Sequence, residues 1–73
     1  MTKDQTFMID HVVSEMIQML MEKKQMTFQE ALDLLYGSQL FEMLQDTSTG
    51  LYLQSACYNY EFLEHELKFG KIA

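Results

Sequence analysis

Proline, tryptophan and arginine are absent from the 73-residue sequence, which contains only one cysteine and three glycines. Few residues therefore interrupt regular structure, and this favours helices joined by short turns. A disulfide framework is excluded because Cys57 has no second cysteine to pair with, and a zinc knot is excluded because Cys and His residues do not cluster. The single free thiol agrees with a reducing cytoplasm.

Positive charge is also scarce, because five lysines stand against eleven acidic residues and the formal net charge is -6. Residues 25–67, called the acidic zone below, contain seven acids and no lysine or arginine. Nucleic acids are bound through clustered Lys and Arg, so we expect no nucleic-acid partner. The acidic zone is interpreted either as a solvated surface that keeps the protein soluble or as a complement to a basic protein surface.

Apolar residues make up 48% of the chain, and ten leucines and seven methionines outnumber two valines and three isoleucines. Leucine and methionine are good helix formers, whereas strand-forming residues are few. The apolar stretch Met16–Met21 is too short to span a bilayer and lacks a cleavage site. We therefore expect a single helical domain over residues 1–73, located in the cytoplasm and without a membrane partner. A chain of this length is marginally stable alone, so association with another chain is expected to help.

Hydrophobic periodicity predicts an all-α fold, a small bundle of three to four helices. The predicted helices span about residues 5–24, 28–36, 39–45 and 56–69. Thr27 and Glu30 predict a capping box at the start of the second helix, in which hydroxyl and carboxylate satisfy opposite backbone donors. Ser38 and Ser55 are the predicted N-caps of the third and fourth helices. The buried stripe of the second helix is predicted to be Phe28, Ala31, Leu32 and Leu35.

Glycines and polar residues mark the predicted helix ends. Gly37 and Gly70 are expected to end the second and fourth helices because glycine tolerates a left-handed backbone there. Asp46–Gly50 forms a polar loop of turn-forming residues. Leu51–Leu53 follows this loop and is either extended or a distorted continuation into the last helix.

The last predicted helix has two apolar sides. Tyr58, Phe62 and Phe69 cluster almost opposite the core stripe at 3.6-residue spacing. A helix with two apolar sides must be covered on both, so a partner, Leu51–Leu53 or Ile72 has to cover the aromatic cluster. We favour a partner. The core stripe itself is predicted to be Ala56, Tyr60, Leu63 and Leu67.

Methionines give the first predicted helix an apolar stripe that is wider than one neighbouring helix needs. Met8, Met16 and Met19 share one face, and flexible, polarizable side chains adapt to varied partners. The alternative is that these methionines fill irregular space in the core. The complete candidate interaction surface consists of Tyr58, Phe62, Phe69, Met8, Met16 and Met19.

No residue pattern in the sequence indicates a metal site, a reactive thiol or a catalytic site. Cys57, Glu61 and His65 are spaced by four residues, but Cys57 and His65 are about 12 Å apart along the helix, too far for one ion. We expect Cys57 to be a small, semi-buried packing residue. No phosphate-binding, dinucleotide-binding, nucleophile-elbow or zincin motif occurs. The sequence therefore predicts a non-enzymatic protein with no catalytic residue, metal, cofactor or small-molecule substrate.

One pattern in the second half of the chain resembles a known group. It runs Ser38-x-x-Phe41-x-x-Leu44-x-Asp46-x-x-Thr49-Gly50-Leu51-Tyr52-x-x-Ser55-x-x-Tyr58-x-Tyr60-x-x-Leu63-x-x-Glu66-Leu67. This pattern is similar to short bacterial all-helical proteins of unknown function, sometimes encoded beside ADP-ribosyltransferase-like toxins. The resemblance covers about residues 27–67 and contains no catalytic signature. It implies an all-helical accessory protein, antitoxin-like in role.

Two functional hypotheses follow. The first is a small acidic helical interaction module that forms a homo-oligomer or binds a protein partner through its apolar helix faces. The second is an acidic, antitoxin-like neutraliser or nucleic-acid mimic that occupies a basic protein surface. The base-free acidic zone motivates this second hypothesis.

Overall fold

A computed structural model describes residues 2–70 as a bundle of four α-helices. In chain order the helices are α1 (Lys3–Lys23), α2 (Phe28–Tyr36), α3 (Gln39–Gln45) and α4 (Ala56–Phe69), with 3-10 turns at Thr47–Thr49 and Leu51–Leu53. No strand occurs among these residues, and the predicted all-α class is confirmed. The last three helices have the predicted bounds, whereas α1 begins two residues earlier than predicted. Within the same range, no helix is both long and apolar enough to cross a membrane.

The helix starts follow the predicted capping chemistry. Thr27 Oγ1 accepts a hydrogen bond from the Glu30 amide at 3.2 Å, and Glu30 Oε1 accepts one from the Thr27 amide at 2.9 Å. The hydroxyls of Ser38 and Ser55 each accept a bond from the amide three residues ahead. These bonds satisfy backbone donors that have no partner inside the helix, which fixes where α2, α3 and α4 begin.

The helix ends differ from the prediction at one glycine. Gly70 adopts the left-handed conformation expected of it, with φ 78°. Gly37 does not, since its φ is -88° and its ψ is 0°. The chain instead passes directly into buried Ser38, whose hydroxyl donates to the Leu35 carbonyl at 2.6 Å. The left-handed residue after α1 is Gln25, with φ 56°, a position that glycine content does not reveal.

α1 organises the core. It packs against α2, α4 and the Leu51–Leu53 turn, while α3 packs against α4 and the same turn. Leu67, predicted in the core stripe of α4, is exposed because the bundle does not cover the last turn of that helix. Phe28, predicted in the stripe of α2, is also exposed, at the first residue of its helix. The buried apolar residues are Ile9, Val12, Val13, Met16, Ile17, Leu20, Ala31, Leu35, Leu40, Leu44, Leu51, Ala56, Tyr60 and Leu63.

Asn59 is a fully buried polar residue that holds the connection before α4 in place. Its Nδ2 donates to the Leu51 carbonyl at 3.0 Å and to the Ser55 carbonyl at 3.1 Å. The Leu51–Leu53 turn is thereby tied to α4, and Leu51 is held in the core. Leu51–Leu53, predicted to be either extended or a distorted continuation into the last helix, forms a short 3-10 turn.

The end of α1 is fastened to the middle of α4 by charged groups. Lys24 Nζ lies 3.0 Å from Glu64 Oε1, and Lys23 Nζ lies 5.3 Å from the centre of the Tyr60 ring. Burial, with a smaller contribution from the Glu64 carboxylate, raises the pKa of Tyr60 to about 12. Tyr60 is therefore neutral throughout the physiological range, as a core residue should be.

We predict that Asn59→Ala lowers the free energy of unfolding by about 1–3 kcal/mol. The variant loses both hydrogen bonds that Asn59 Nδ2 donates to the Leu51 and Ser55 carbonyls and leaves unfilled space where the buried side chain stood. Urea unfolding followed by circular dichroism measures the effect. Cys57→Ala is the matched control because Cys57 is an exposed residue of the same helix, and its effect should stay within about 0.5 kcal/mol. Equal unfolding midpoints for the two variants would contradict the role assigned to Asn59.

Candidate functional site

The side of α4 opposite the core presents a continuous stripe of rings. Tyr58, Phe62, His65 and Phe69, together called the α4 stripe, are spaced by four, three and four residues and so share one side of the helix. Tyr58 is 45% exposed and Phe69 59% exposed, while His65 is exposed and Phe62 half-buried. His65 was not among the predicted surface residues, although the spacing could have identified it.

The rings of the α4 stripe interact in pairs. The centres of the Tyr58 and Phe62 rings are 5.2 Å apart in an edge-to-face arrangement, and those of His65 and Phe69 are 4.6 Å apart. A shallow depression of about 230 Å³ lies among Tyr58, Phe62 and His65, with Glu61 at its edge. Such ring pairs restrict one another's rotamers, which reduces the entropy lost when another surface covers them.

The described chain covers the α4 stripe only in part, at half-buried Phe62. The Leu51–Leu53 turn, one of the two segments of this chain predicted as a possible cover, packs against α1 and α3. The other, Ile72, lies outside the described residues. Leu51 itself enters the core, and Leu53 points to a separate groove beside α1. Among residues 2–70, the aromatic side of α4 therefore stays open to an external surface.

The predicted methionine face divides into different environments. Met16 is completely buried and belongs to the core, so the expectation that it lies on an accessible interaction surface is wrong. Met8 and Met19 are half-buried. The width of the α1 stripe explains the difference, because its centre faces the core and its edges reach the surface.

Met8 borders an apolar groove that the sequence did not predict. The groove has a volume of about 390 Å³, lies between α1 and the Leu51–Leu53 turn, and includes Phe7, which is 73% exposed. A second groove of about 420 Å³ separates α1 from α2 and is bordered by exposed Phe28 and Tyr36. Phe7 could have been found in the sequence, since it lies outside the apolar stripe of α1.

Most carboxylates of the acidic zone make intramolecular contacts that stabilise the fold. Four of the seven make hydrogen bonds or ion pairs that fix an element or join two of them, namely Glu30, Asp46, Glu64 and Glu66. The backbone amide of Thr27 lowers the pKa of Glu30, the Ser48 hydroxyl lowers the pKa of Asp46, and Lys24 lowers the pKa of Glu64. The capping box identified Glu30 from the sequence, but sequence position alone could not distinguish Asp46, Glu64 and Glu66 from solvated acids.

Glu66 is the acid whose role depends most on tertiary structure. Its two carboxylate oxygens accept hydrogen bonds from the amides of Gln39 at 2.8 Å and Leu40 at 3.0 Å. These amides are at the N-terminus of α3, where the helix dipole favours negative charge. Glu66 thus attaches the last turns of α4 to α3, and it leaves the α4 stripe facing outward.

The Cys, His and acidic side chains of the described residues do not gather into a metal or thiol site. No cluster of three or more Cys, His, Asp or Glu side chains suited to a metal occurs between residues 2 and 70. His11 Nε2 lies 2.5 Å from Glu15 Oε1, the surface pairing that their four-residue spacing predicts. Cys57 is exposed, and the expectation that it is semi-buried is wrong because it projects from the flank of α4 outside the core.

No protein-family model, curated protein or solved structure matches this chain. The resemblance to short bacterial helical proteins encoded beside toxins therefore stays a prediction. The candidate site is defined by the exposure and arrangement of its own residues.

The lowered pKa values predict loss of stability in acid. A carboxyl whose pKa is lower in the folded than in the unfolded chain stabilises the fold above its unfolded value and loses this contribution as the pH falls. For Glu30, whose ordinary pKa is 4.5, the loss begins near that pH and is complete below the folded value. Glu30→Gln preserves the capping geometry and removes the titration. The difference in unfolding free energy between wild type and this variant should shrink from pH 7 to pH 3.

Urea unfolding at the two pH values measures this difference directly. A gap between wild type and Glu30→Gln that stays constant from pH 7 to pH 3 would show that the Thr27 amide does not stabilise the charged carboxylate.

Proposed function

We propose that this protein is a non-enzymatic protein–protein interaction module, which self-associates or binds another protein by burying the α4 stripe. The observation that carries the proposal is the row of four adjacent rings on α4, of which Tyr58, His65 and Phe69 are exposed and Phe62 is half-buried. Aromatic residues are enriched in interface cores, where a few well-packed rings provide most of the binding energy. Tyr58, Phe62 and Phe69 are the proposed anchors.

The surroundings of the stripe suit an interface. Glu61 and Lys68 are exposed on its flank, and Lys68 Nζ lies 5.6 Å from the centre of the Phe69 ring. Charges at the rim of an interface affect orientation and association rate more than affinity.

Met8 and Met19, being half-buried, are secondary candidates at the edges of α1. No nucleic acid, membrane or small molecule is part of the proposal, and a reducing cytoplasm suits the exposed thiol of Cys57.

The second hypothesis, an acidic neutraliser that occupies a basic protein surface, is less well supported than the interaction module. Its mechanism needs carboxylates that face a basic surface, and it would weaken strongly with salt. Glu30, Glu64 and Glu66 instead bind groups of their own chain. The charges that make the zone prominent in the sequence are therefore partly neutralised by the fold, which favours the apolar stripe as the interaction surface.

Site-specific photo-crosslinking in the native host tests the proposed function. A crosslinking phenylalanine analogue at Tyr58 should form covalent adducts with a second protein chain, whether a copy or another protein. The same analogue at Tyr36 is the matched control, because Tyr36 is 53% exposed but lies on α2, outside the stripe. Phe62→Ser should reduce the adducts by about tenfold, since it removes a central anchor.

A second substitution is needed because Phe62 also contacts the core. Phe62→Ser could therefore reduce the adducts by destabilising the fold. Phe69→Ser changes a more exposed ring and should reduce the adducts while circular dichroism stays unchanged. Absence of adducts from Tyr58, or equal yields from Tyr58 and Tyr36, would refute the proposed function.

A further inference from the structure

The spacing of the α4 stripe is self-complementary. Steps of four, three and four residues are those of the apolar seam of a two-helix coiled coil, and they read the same in both directions. The stripe extends over about 16 Å, from Tyr58 to Phe69. Two copies of α4 that pack antiparallel about a two-fold axis would place Phe62 against His65 of the second copy and Tyr58 against Phe69 of the second copy. Every ring of the stripe then meets another ring.

The charges beside the stripe favour this orientation. Glu61 and Lys68 are seven residues apart, so they lie on the same flank of the stripe. In a two-fold antiparallel pair, equivalent flanks meet, and Glu61 of each copy faces Lys68 of the other. In a parallel pair, opposite flanks meet, and Glu61 faces Glu66 of the second copy. The antiparallel arrangement forms two ion pairs, whereas the parallel arrangement brings like charges together.

Lys68 is the described lysine that lies beside the α4 stripe. Lys23 and Lys24 are engaged with Tyr60 and Glu64 at the end of α1, and Lys3 is in the first turn of that helix. Lys68 is therefore the base that the fold places beside the stripe. Glu61 and Lys68 thus place opposite charges beside the two halves of the stripe.

We propose that the occupant of the α4 stripe is the α4 stripe of a second copy of this chain, packed antiparallel with Glu61 and Lys68 paired across the two-fold axis. This inference rests on the proposed function, since it names the partner of the same surface. A single helix pair of this length gives an interface at the small end of the range for specific complexes. We expect a dissociation constant in the micromolar range, because a small interface with few anchors leaves little free energy beyond the cost of association.

Charge reversal tests the pairing. In Glu61→Lys, both copies present lysines at positions 61 and 68, and in Lys68→Glu both present glutamates, so each variant alone should dimerise at least about tenfold more weakly than wild type. Mixing the two variants should restore a heterodimer, because each lysine of one chain then faces a glutamate of the other. The double variant Glu61→Lys/Lys68→Glu should also dimerise. Sedimentation equilibrium measures the dissociation constants of wild type, the two single variants, their mixture and the double variant.

Two variants control for net charge. Asp10→Lys and Lys3→Glu make the same charge changes at exposed positions of α1, away from the stripe, and should dimerise like wild type. If mixing the reversed variants fails to restore the dimer, the antiparallel pairing is refuted. If wild type stays monomeric up to about 1 mM, a concentration well above a micromolar constant, a second copy is not the occupant. Adducts of another protein at Tyr58 would then still support the proposed function.

Discussion

Burial of the apolar stripe of α1 is the constraint on which the remaining structure depends. α1 is the longest helix, and α2, α4 and the Leu51–Leu53 turn all pack against it. Met16 and Leu20 in this stripe are completely buried, which shows that the shorter elements are arranged to cover them. A chain of 73 residues has few elements available for this task. Once α2 and α4 have each turned one side toward α1, little is left to cover their other sides.

A small set of polar anchors decides which side of α4 stays uncovered. Asn59 binds the turn before the helix, Glu64 binds Lys24 near its middle, and Glu66 binds the amides that begin α3. Asn59 and Glu66 lie on one flank of the core-facing side of α4 and Glu64 lies on the other, so these contacts together fix the rotation of the helix about its own axis. The rings on the opposite side are consequently held outward by the same bonds that stabilise the bundle. A surface held in this way loses little conformational freedom when it binds.

Local chemistry made most of the fold predictable. The capping box at Thr27 and the hydroxyl caps at Ser38 and Ser55 involve residues three positions apart, so the sequence contains all the information needed to locate them. Periodicity likewise identified Tyr58, Phe62 and Phe69 as one side of a helix, since that pattern needs only a constant turn per residue. For these features, the nearest neighbours in sequence decide the outcome.

The features that the sequence did not predict depend on which elements meet. Met16 and Met8 share the apolar stripe of α1 but lie about 80° apart on the helical wheel. Only Met16 faces the core, because the neighbouring elements cover the centre of the stripe and not its edges. Leu67 has core spacing but lies in a turn that the bundle leaves open, and Gly37 keeps a negative φ because the chain continues straight into buried Ser38. Glu66 caps a helix 27 residues away in sequence. No local pattern specifies such contacts, because they arise from tertiary packing.

Charge limits how two copies of this protein can meet. Each copy has a formal net charge of -6, so their long-range interaction is repulsive and is screened only beyond about 10 Å at moderate salt. Exposed ion pairs are worth little individually, and two of them cannot by themselves overcome this repulsion. The affinity of a dimer must therefore come from burying the rings of the α4 stripe. Glu61 and Lys68 then determine the orientation, because the antiparallel arrangement is the one that adds attraction locally while the net charge opposes association.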